Sequence, residues 1–164
     1  EDYLAGANLV FTNKRRREIN SVVNSYYADQ TDDKFQVDFV PIPNIEDKYS
    51  QTTIVYEGLP LLSIVNHRNA QDEVVIIKNQ TYKVVELDTA NRRFKIDDDD
   101  NWYEADDINT TFIQAYSMTI HKTQGDTIEG GVNIHETMSI IEDKRLHYTG
   151  VSRAKDISFV KYFV

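Results

Sequence analysis

The strongest constraint on this chain is a change of apolar period that happens twice. The first residues follow a strand and then a helix. The residues from about Thr52 to Phe112 read as short strands, and strand and helix patterns return from residue 113 to the end. "NLVFT" at 8–12 reads as a buried strand. Ile19, Val22, Val23, Tyr26 and Tyr27 then recur at the spacing of one helix face, with Thr12 or Asn13 as the natural N-cap. "FQVDFV" alternates like a strand, and Pro41 and Pro43 break it. In the middle block, "TTIVYEGLPLLSIVN", "EVVIIKNQTYKVVEL" and "RRFKID" are rich in Val, Ile, Tyr and Leu, and turn clusters separate them, with a tight turn at Asn79. So many short strands in so few residues predict a small barrel.

The last third repeats the opening logic. Ala115–Gln124 reads as a helix stopped by Gly125, and "TIEGGVNIHE" as a strand. "EDKRLHYTGVSRAKD" reads as a second helix. "ISFVKYFV" is apolar nearly throughout, like a strand buried on both faces. The expected organisation is therefore one α/β domain in two parts, 1–51 and 113–164, interrupted by a β-rich insertion at 52–112. A length of 164 residues fits one domain with a small insertion.

Composition narrows the chemistry. With no cysteine there is no disulfide, no thiolate metal site and no cysteine nucleophile. No apolar run suggests a signal segment or a membrane span, so the expected location is intracellular: cytoplasm, nucleus or virion-associated. The first residue is Glu1, which suggests a processed form or a piece of a longer chain. A net charge of −9 argues against a protein that coats itself with nucleic acid. The charge is uneven, however: "NKRRRE" at 13–18 is basic, and Lys95–Asp107 is strongly acidic.

Three stretches carry candidate chemistry. Lys14, Arg15, Arg16 and Arg17 fall in the first turn of a helix, where cations oppose the helix dipole. Either a phosphate reverses that sign, or the turn is simply solvated and offset by Glu18. Gly150 inside a helix costs about 1 kcal/mol relative to Ala, for which close backbone packing is the usual compensation. Arg153 follows on the same face and is either a surface residue or a functional one. Thr119, His121, Lys122 and Gln124 crowd one short segment. Such a group either contacts a sugar-phosphate backbone or forms a polar helix end.

In order along the chain, "LVFTNKRRREIN", "AYSMTIHKTQGDTIE" and "LHYTGVSRAKD" resemble motifs IVa, V and VI of superfamily 1 helicases, in the branch that includes RecD and Dda. The resemblance covers nearly the whole chain. It implies a RecA-like parallel-sheet domain, the P-loop NTPase fold without its P-loop half, interrupted by a small SH3-like β-barrel. It also implies that Arg153 is an arginine finger acting on the γ-phosphate, and that Gln124, Gly125 and Thr127 lie on the ATP side. Thr127 stands where some relatives have a glutamate that contacts the ribose. Thr12, Asn13, Arg16, Thr119, His121 and Lys122 are the implied nucleic-acid contacts. The type of insertion implies 5′-to-3′ movement.

The P-loop pattern is absent. Glycines stand at 6, 58, 125, 130, 131 and 150, and none is followed by Lys-Ser or Lys-Thr. The expectation is thus the C-terminal piece of an ATP-dependent helicase, inactive as an ATPase alone. Its own N-terminal RecA-like domain would hold most of the ATP and Mg²⁺. Single-stranded nucleic acid, DNA before RNA, is the expected partner of a monomer. The rival reading is a non-enzymatic module that binds single strands or proteins.

Weaker signals are set aside. The acidic run lacks the glycine and glutamate of a calcium loop, and Asp100–Asp107 reads as a solvated loop. His67, His121, His135 and His147 have no metal-ligand spacing, so no metal site is expected. Trp102 and Tyr103 either stack on bases or pack in the insert, and packing is the preferred reading.

Overall fold

The computed structural model describes residues 2–123, 127–138 and 143–164. The chain forms two compact units, Glu1–Val23 with Tyr116–Val164, and Asn24–Ala115.

The first unit is built on four parallel strands: β1 (Ala7–Val10), β11 (Ser117–Thr119), β12 (Val132–Ile134) and β13 (Val160–Tyr162), in the spatial order β11-β1-β12-β13. The register places Asn8 beside Ser117 on one side and Asn133 on the other. Residues alternate between faces along each strand, so the sheet has two chemically different sides. One is apolar: Leu9, Val132 and Ile134 pack with Ile120 and with Leu146 of helix α2 (Lys144–Val151). The other carries Asn8, Asn133, Ser117 and Thr119, all buried.

Asn8 is the centre of the bonding on that polar side. The Asn8 amide donates to the carbonyls of Tyr3 and Tyr116 at 2.9 and 3.2 Å. Its side-chain oxygen accepts from Asn133 at 3.2 Å and faces the His135 Nε2 at 2.9 Å. The Asn oxygen can only accept, so His135 is the Nε2–H tautomer. The ring is 1% exposed and stacks on Phe163, with centroids 4.9 Å apart. Burial above all, and then the Arg15 charge, pushes its pKa down to about 4; Glu136 acts in the opposite direction.

Helix α1 (Asn13–Ala28) forms where expected, but its buried face differs from the apolar stripe. Val22 and Tyr26 are exposed at 57% and 50%, while Arg16, Ile19, Asn20 and Val23 are buried. The face has turned because polar side chains on it complete backbone bonds. Asn20 accepts from the Ser117 amide at 2.7 Å and donates to the Ser117 carbonyl at 3.3 Å. Among the described residues strand β11 is an edge strand, and the Asn20 amide bonds its outer backbone groups.

Two further expectations are corrected. Ala115–Gln124 is not a helix over its described residues: Ser117–Thr119 is strand β11, and Ile120–Thr123 is a short 3-10 turn. Pairing with β1 outweighs a local period that ten residues cannot fix. The terminal strand is not buried on both faces. It closes one edge of the sheet, and Lys161 and Tyr162 are exposed.

In the second unit, β2 (Lys34–Val37) pairs antiparallel with β3 (Thr53–Tyr56), and Asn24 of α1 bonds both backbone groups of Ile54 at 2.9 Å. β5 (His67–Arg68) and β6 (Val74–Ile76) form a small separate pair. The main sheet is antiparallel and five-stranded, from β4 (Pro60–Ser63), β7 (Thr81–Asp88), β8 (Arg93–Ile96), β9 (Asp99–Glu104) and β10 (Phe112–Gln114), in the order β10-β4-β7-β8-β9. Phe94, Phe112, Tyr82 and Tyr103 form its aromatic core. Asn79 makes the expected tight turn at φ 65°. Much of the acidic run expected to be a loop is strand β9. Tyr103 is core, its hydroxyl bonded to Asp99, and burial raises its pKa. Trp102 packs beneath Arg93 and Lys95, 4.7 and 4.8 Å from the ring centroid.

Candidate nucleic-acid and nucleotide interface

All four strands of the first unit are parallel, so their C-terminal ends share one edge of that sheet. Ligands of open α/β sheets bind along such edges. β1 ends at Val10 and leads to Thr12 and Asn13. β11 ends at Thr119, beside Val10 in the register, and leads to His121. β12 ends at Ile134 and leads to His135 and Glu136.

Thr12 is the cap of α1. Its hydroxyl accepts from the Arg15 amide at 3.2 Å and donates to Glu136 Oε1 at 2.8 Å. Glu136 Oε2 accepts from the amides of Phe11 and Thr12 at 2.8 and 2.9 Å. An acidic side chain therefore spans the turn between β1 and α1. Asn13 accepts from Arg16 Nε at 3.2 Å. Arg16, an expected strand contact, is itself 2% exposed. Arg15 is tied to Glu18 at 3.1 Å and to the Tyr3 hydroxyl at 3.1 Å, and the Glu18 hydrogen bond is the main cause of its raised pKa. Lys14 is exposed.

Thr119 is 6% exposed, so its side chain is nearly enclosed. His121 is exposed and Lys122 half-buried. His121 shares a recess with Asp143, Arg145, Leu146 and Thr149 at the start of α2. There Asp143 caps the helix, accepting from the amides of Arg145 and Leu146 at 3.0 and 3.1 Å. Between Thr119 and His121, the Ile120 side chain turns inward and meets Gly150. A β-carbon at Gly150 would lie 3.3 Å from Ile120 Cδ1 and 3.5 Å from Ile134 Cδ1. The helix glycine is thus explained by close packing, as its sequence position suggested.

Arg153 lies just beyond the other end of α2. Its Nε donates to the Thr149 carbonyl at 3.2 Å, and its NH2 group to the Ser152 hydroxyl at 3.2 Å. Its own carbonyl accepts from the Ile128 amide at 2.7 Å, and Ile128 and Ala154 form a parallel bridge. This bridge precedes both β12 and β13, so it sits at the opposite end of the sheet from Thr12 and Glu136. Thr127, exposed, is brought next to Arg153 by it. Gln124 and Gly125, expected on the ATP side, lie outside the described residues. Among the described residues no cluster of three or more His, Cys, Asp or Glu could hold a metal ion, and no helix is long and apolar enough to cross a membrane.

Comparison with known proteins adds to this geometry. No protein-family model matches the chain, and no curated protein sequence does. Solved structures do match. Bacteroides Pif1 bound to single-stranded DNA superposes with a TM-score of 0.60 at 13% identity, over 96% of this chain and 40% of that one. Pif1 helicases coordinating at forked double-stranded DNA give 0.62 at 15% identity, over 96% and 38%. Bacteroides Pif1 in complex with ADP-AlF3 and single-stranded DNA gives 0.60 at 15% identity, over 95% and 39%. This chain has a RecA-like fold. It spans about two-fifths of the length of those helicases.

The sequence reading missed Glu136, Asn20 and Asn24. The two asparagines did leave a signal, since they continue a helical spacing from Arg16. Glu136 left none: a single glutamate after a strand says nothing of the turn it reaches.

Proposed function

We propose that this chain is the second RecA-like domain of an ATP-dependent helicase or translocase acting on nucleic acid, DNA before RNA. Its middle segment, 52–112, is read as the SH3-like insertion of the 5′-to-3′ branch. The observation that carries this reading is the hydrogen bond from the Ile128 amide to the Arg153 carbonyl. It joins the end of one candidate motif to the other, so that Thr127 and Arg153 form one candidate nucleotide face.

On that face Arg153 would meet the γ-phosphate and neutralise charge developing in phosphoryl transfer, as arginine fingers do. ATP and Mg²⁺ would be held mainly by a first RecA-like domain. At the other end of the sheet, Thr12, Asn13, His121 and Lys122 would hold single-strand phosphates, with Thr119 fixing the turn that presents His121. Arg16 would position Asn13. Ile120, between the two sides, packs on Gly150 and would carry strain from one to the other.

The test has two arms. A fluorescein-labelled dT12 should bind this chain weakly, and the affinity should fall as salt rises. In a longer chain that includes the first RecA-like domain, DNA-stimulated ATP turnover should depend on Arg153. Tight, salt-insensitive binding with no Arg153 dependence would favour a stand-alone strand-binding module instead.

A further inference from the structure

We infer that the Glu136 carboxylate holds the seat that a nucleic-acid phosphate takes when a strand binds, so that seating Glu136 and binding the strand exclude one another. This inference rests on reading Thr12 and Asn13 as strand contacts.

The three groups that Glu136 engages are the amides of Phe11 and Thr12 and the Thr12 hydroxyl, at 2.8, 2.9 and 2.8 Å. All three lie before the first residue of α1, in the turn rather than the helix. A hydroxyl carries one proton. The Thr12 proton is committed to Glu136, and one of its lone pairs accepts the Arg15 amide at 3.2 Å. Thr12 therefore has no donor left for a phosphate while Glu136 is seated. A carboxylate and a phosphodiester both present two anionic oxygens, so the same three donors serve either. The surroundings also favour exchange. Lys14 is exposed in the next turn, where a phosphate gains attraction and a strand passing beside a seated Glu136 meets repulsion. Glu136 reaches this turn from a left-handed backbone, φ 58°.

The consequence is a built-in competitor. A binding-competent state that is only fractionally populated weakens the apparent affinity by that fraction. Removing the competitor should strengthen binding.

The experiment measures dT12 affinity by fluorescence anisotropy at one low salt concentration, for the wild-type chain, Glu136→Gln, Glu136→Ala and Glu18→Gln, with thermal melts to confirm folding. Glu18→Gln changes net charge equally at a neighbouring acid. Glu136→Gln should bind about five- to tenfold tighter than wild type, and Glu18→Gln no more than about twofold tighter. Adding Thr12→Val to Glu136→Gln should remove the gain. If Glu136→Ala does not fold, Glu136→Gln keeps an acceptor oxygen, and the wild-type amide resonances of Phe11 and Thr12 give a second readout: both should shift on adding dT12. Wild-type binding with no gain in Glu136→Gln, an equal gain in Glu18→Gln, or silent Phe11 and Thr12 amides overturns the inference alone. Absence of dT12 binding in every variant overturns it together with the functional reading.

Discussion

The Ile128 amide donates to the Arg153 carbonyl at 2.7 Å, and the Lys155 amide returns a bond to the Ile128 carbonyl at 3.3 Å. These residues are far apart in sequence but form one parallel bridge. A second link crosses it, since Lys155 Nζ meets Glu129 at 3.0 Å. Arg153 is thus fixed at its backbone, while its guanidinium rests on the last turn of α2. An arginine placed this way is held by two segments at once.

On the proposed function, Arg153→Ala in a chain that includes the first RecA-like domain lowers ATP turnover by about 10³-fold or more, and leaves dT12 affinity within about twofold. Steady-state ATPase and anisotropy measured on one preparation check both halves. Undiminished turnover sinks the finger assignment.

His121 sits on the other side of the same unit, in the recess at the start of α2. His121→Ala removes one exposed donor and should weaken dT12 binding by about fivefold, the equivalent of about 1 kcal/mol. The melting temperature should not change, because the side chain is exposed. A variant that binds like wild type would count against a strand contact here.

Gly150 tests the link between the two sides. Gly150→Ala gains helix propensity of about 1 kcal/mol, but its β-carbon would press on Ile120 Cδ1 at 3.3 Å. These terms oppose each other, so urea denaturation should show a change below about 1 kcal/mol. Gly150→Leu cannot be accommodated by small shifts of two isoleucine ends. It should destabilise the chain by about 1–3 kcal/mol and disturb the turn that carries His121. A wild-type melt for Gly150→Leu would show that the packing is looser than the distances imply.

His135 makes stability depend on pH. Its folded pKa of about 4 lies below the ordinary 6.5, so the ring is neutral when folded. Between these values the unfolded chain binds more protons than the folded one. Stability is therefore full above about pH 6.5 and is lost as pH falls toward 4, by up to about 3 kcal/mol from this group. His135→Gln should flatten the difference in urea midpoint between pH 7 and 4.5. An unchanged difference would place the acid sensitivity elsewhere.

Thr12→Val removes both the cap of α1 and the hydroxyl bond to Glu136. It should cost about 1–2 kcal/mol, read by the same denaturation. Thr12→Ser keeps the oxygen and should recover most of that loss.

Local sequence patterns settled what local forces decide. The strand near 8–12, the helix start at Thr12 or Asn13, the short strands of the middle block and the turn at Asn79 could all be read in the sequence, because each depends on neighbours a few residues away. The helix glycine at 150 could be read as a packing position for the same reason: its cost is local even though its partners are distant. The segment 115–124 could not be read this way. Whether it becomes helix or strand depends on β1 and on Asn20, both about a hundred residues earlier in the chain. The buried face of α1 was hidden too, since Arg16 and Asn20 are buried for hydrogen bonds and an apolar pattern does not count them. Thr12, His121 and Arg153 were visible as unusual residues at suggestive spacings. Only the tertiary structure decided that Ile128 pairs beside Arg153, that Arg16 is enclosed, and that a carboxylate from residue 136 sits in the turn at Thr12. Those relations come from strand order and register, which fix which distant backbones meet, and no short window of sequence carries that information.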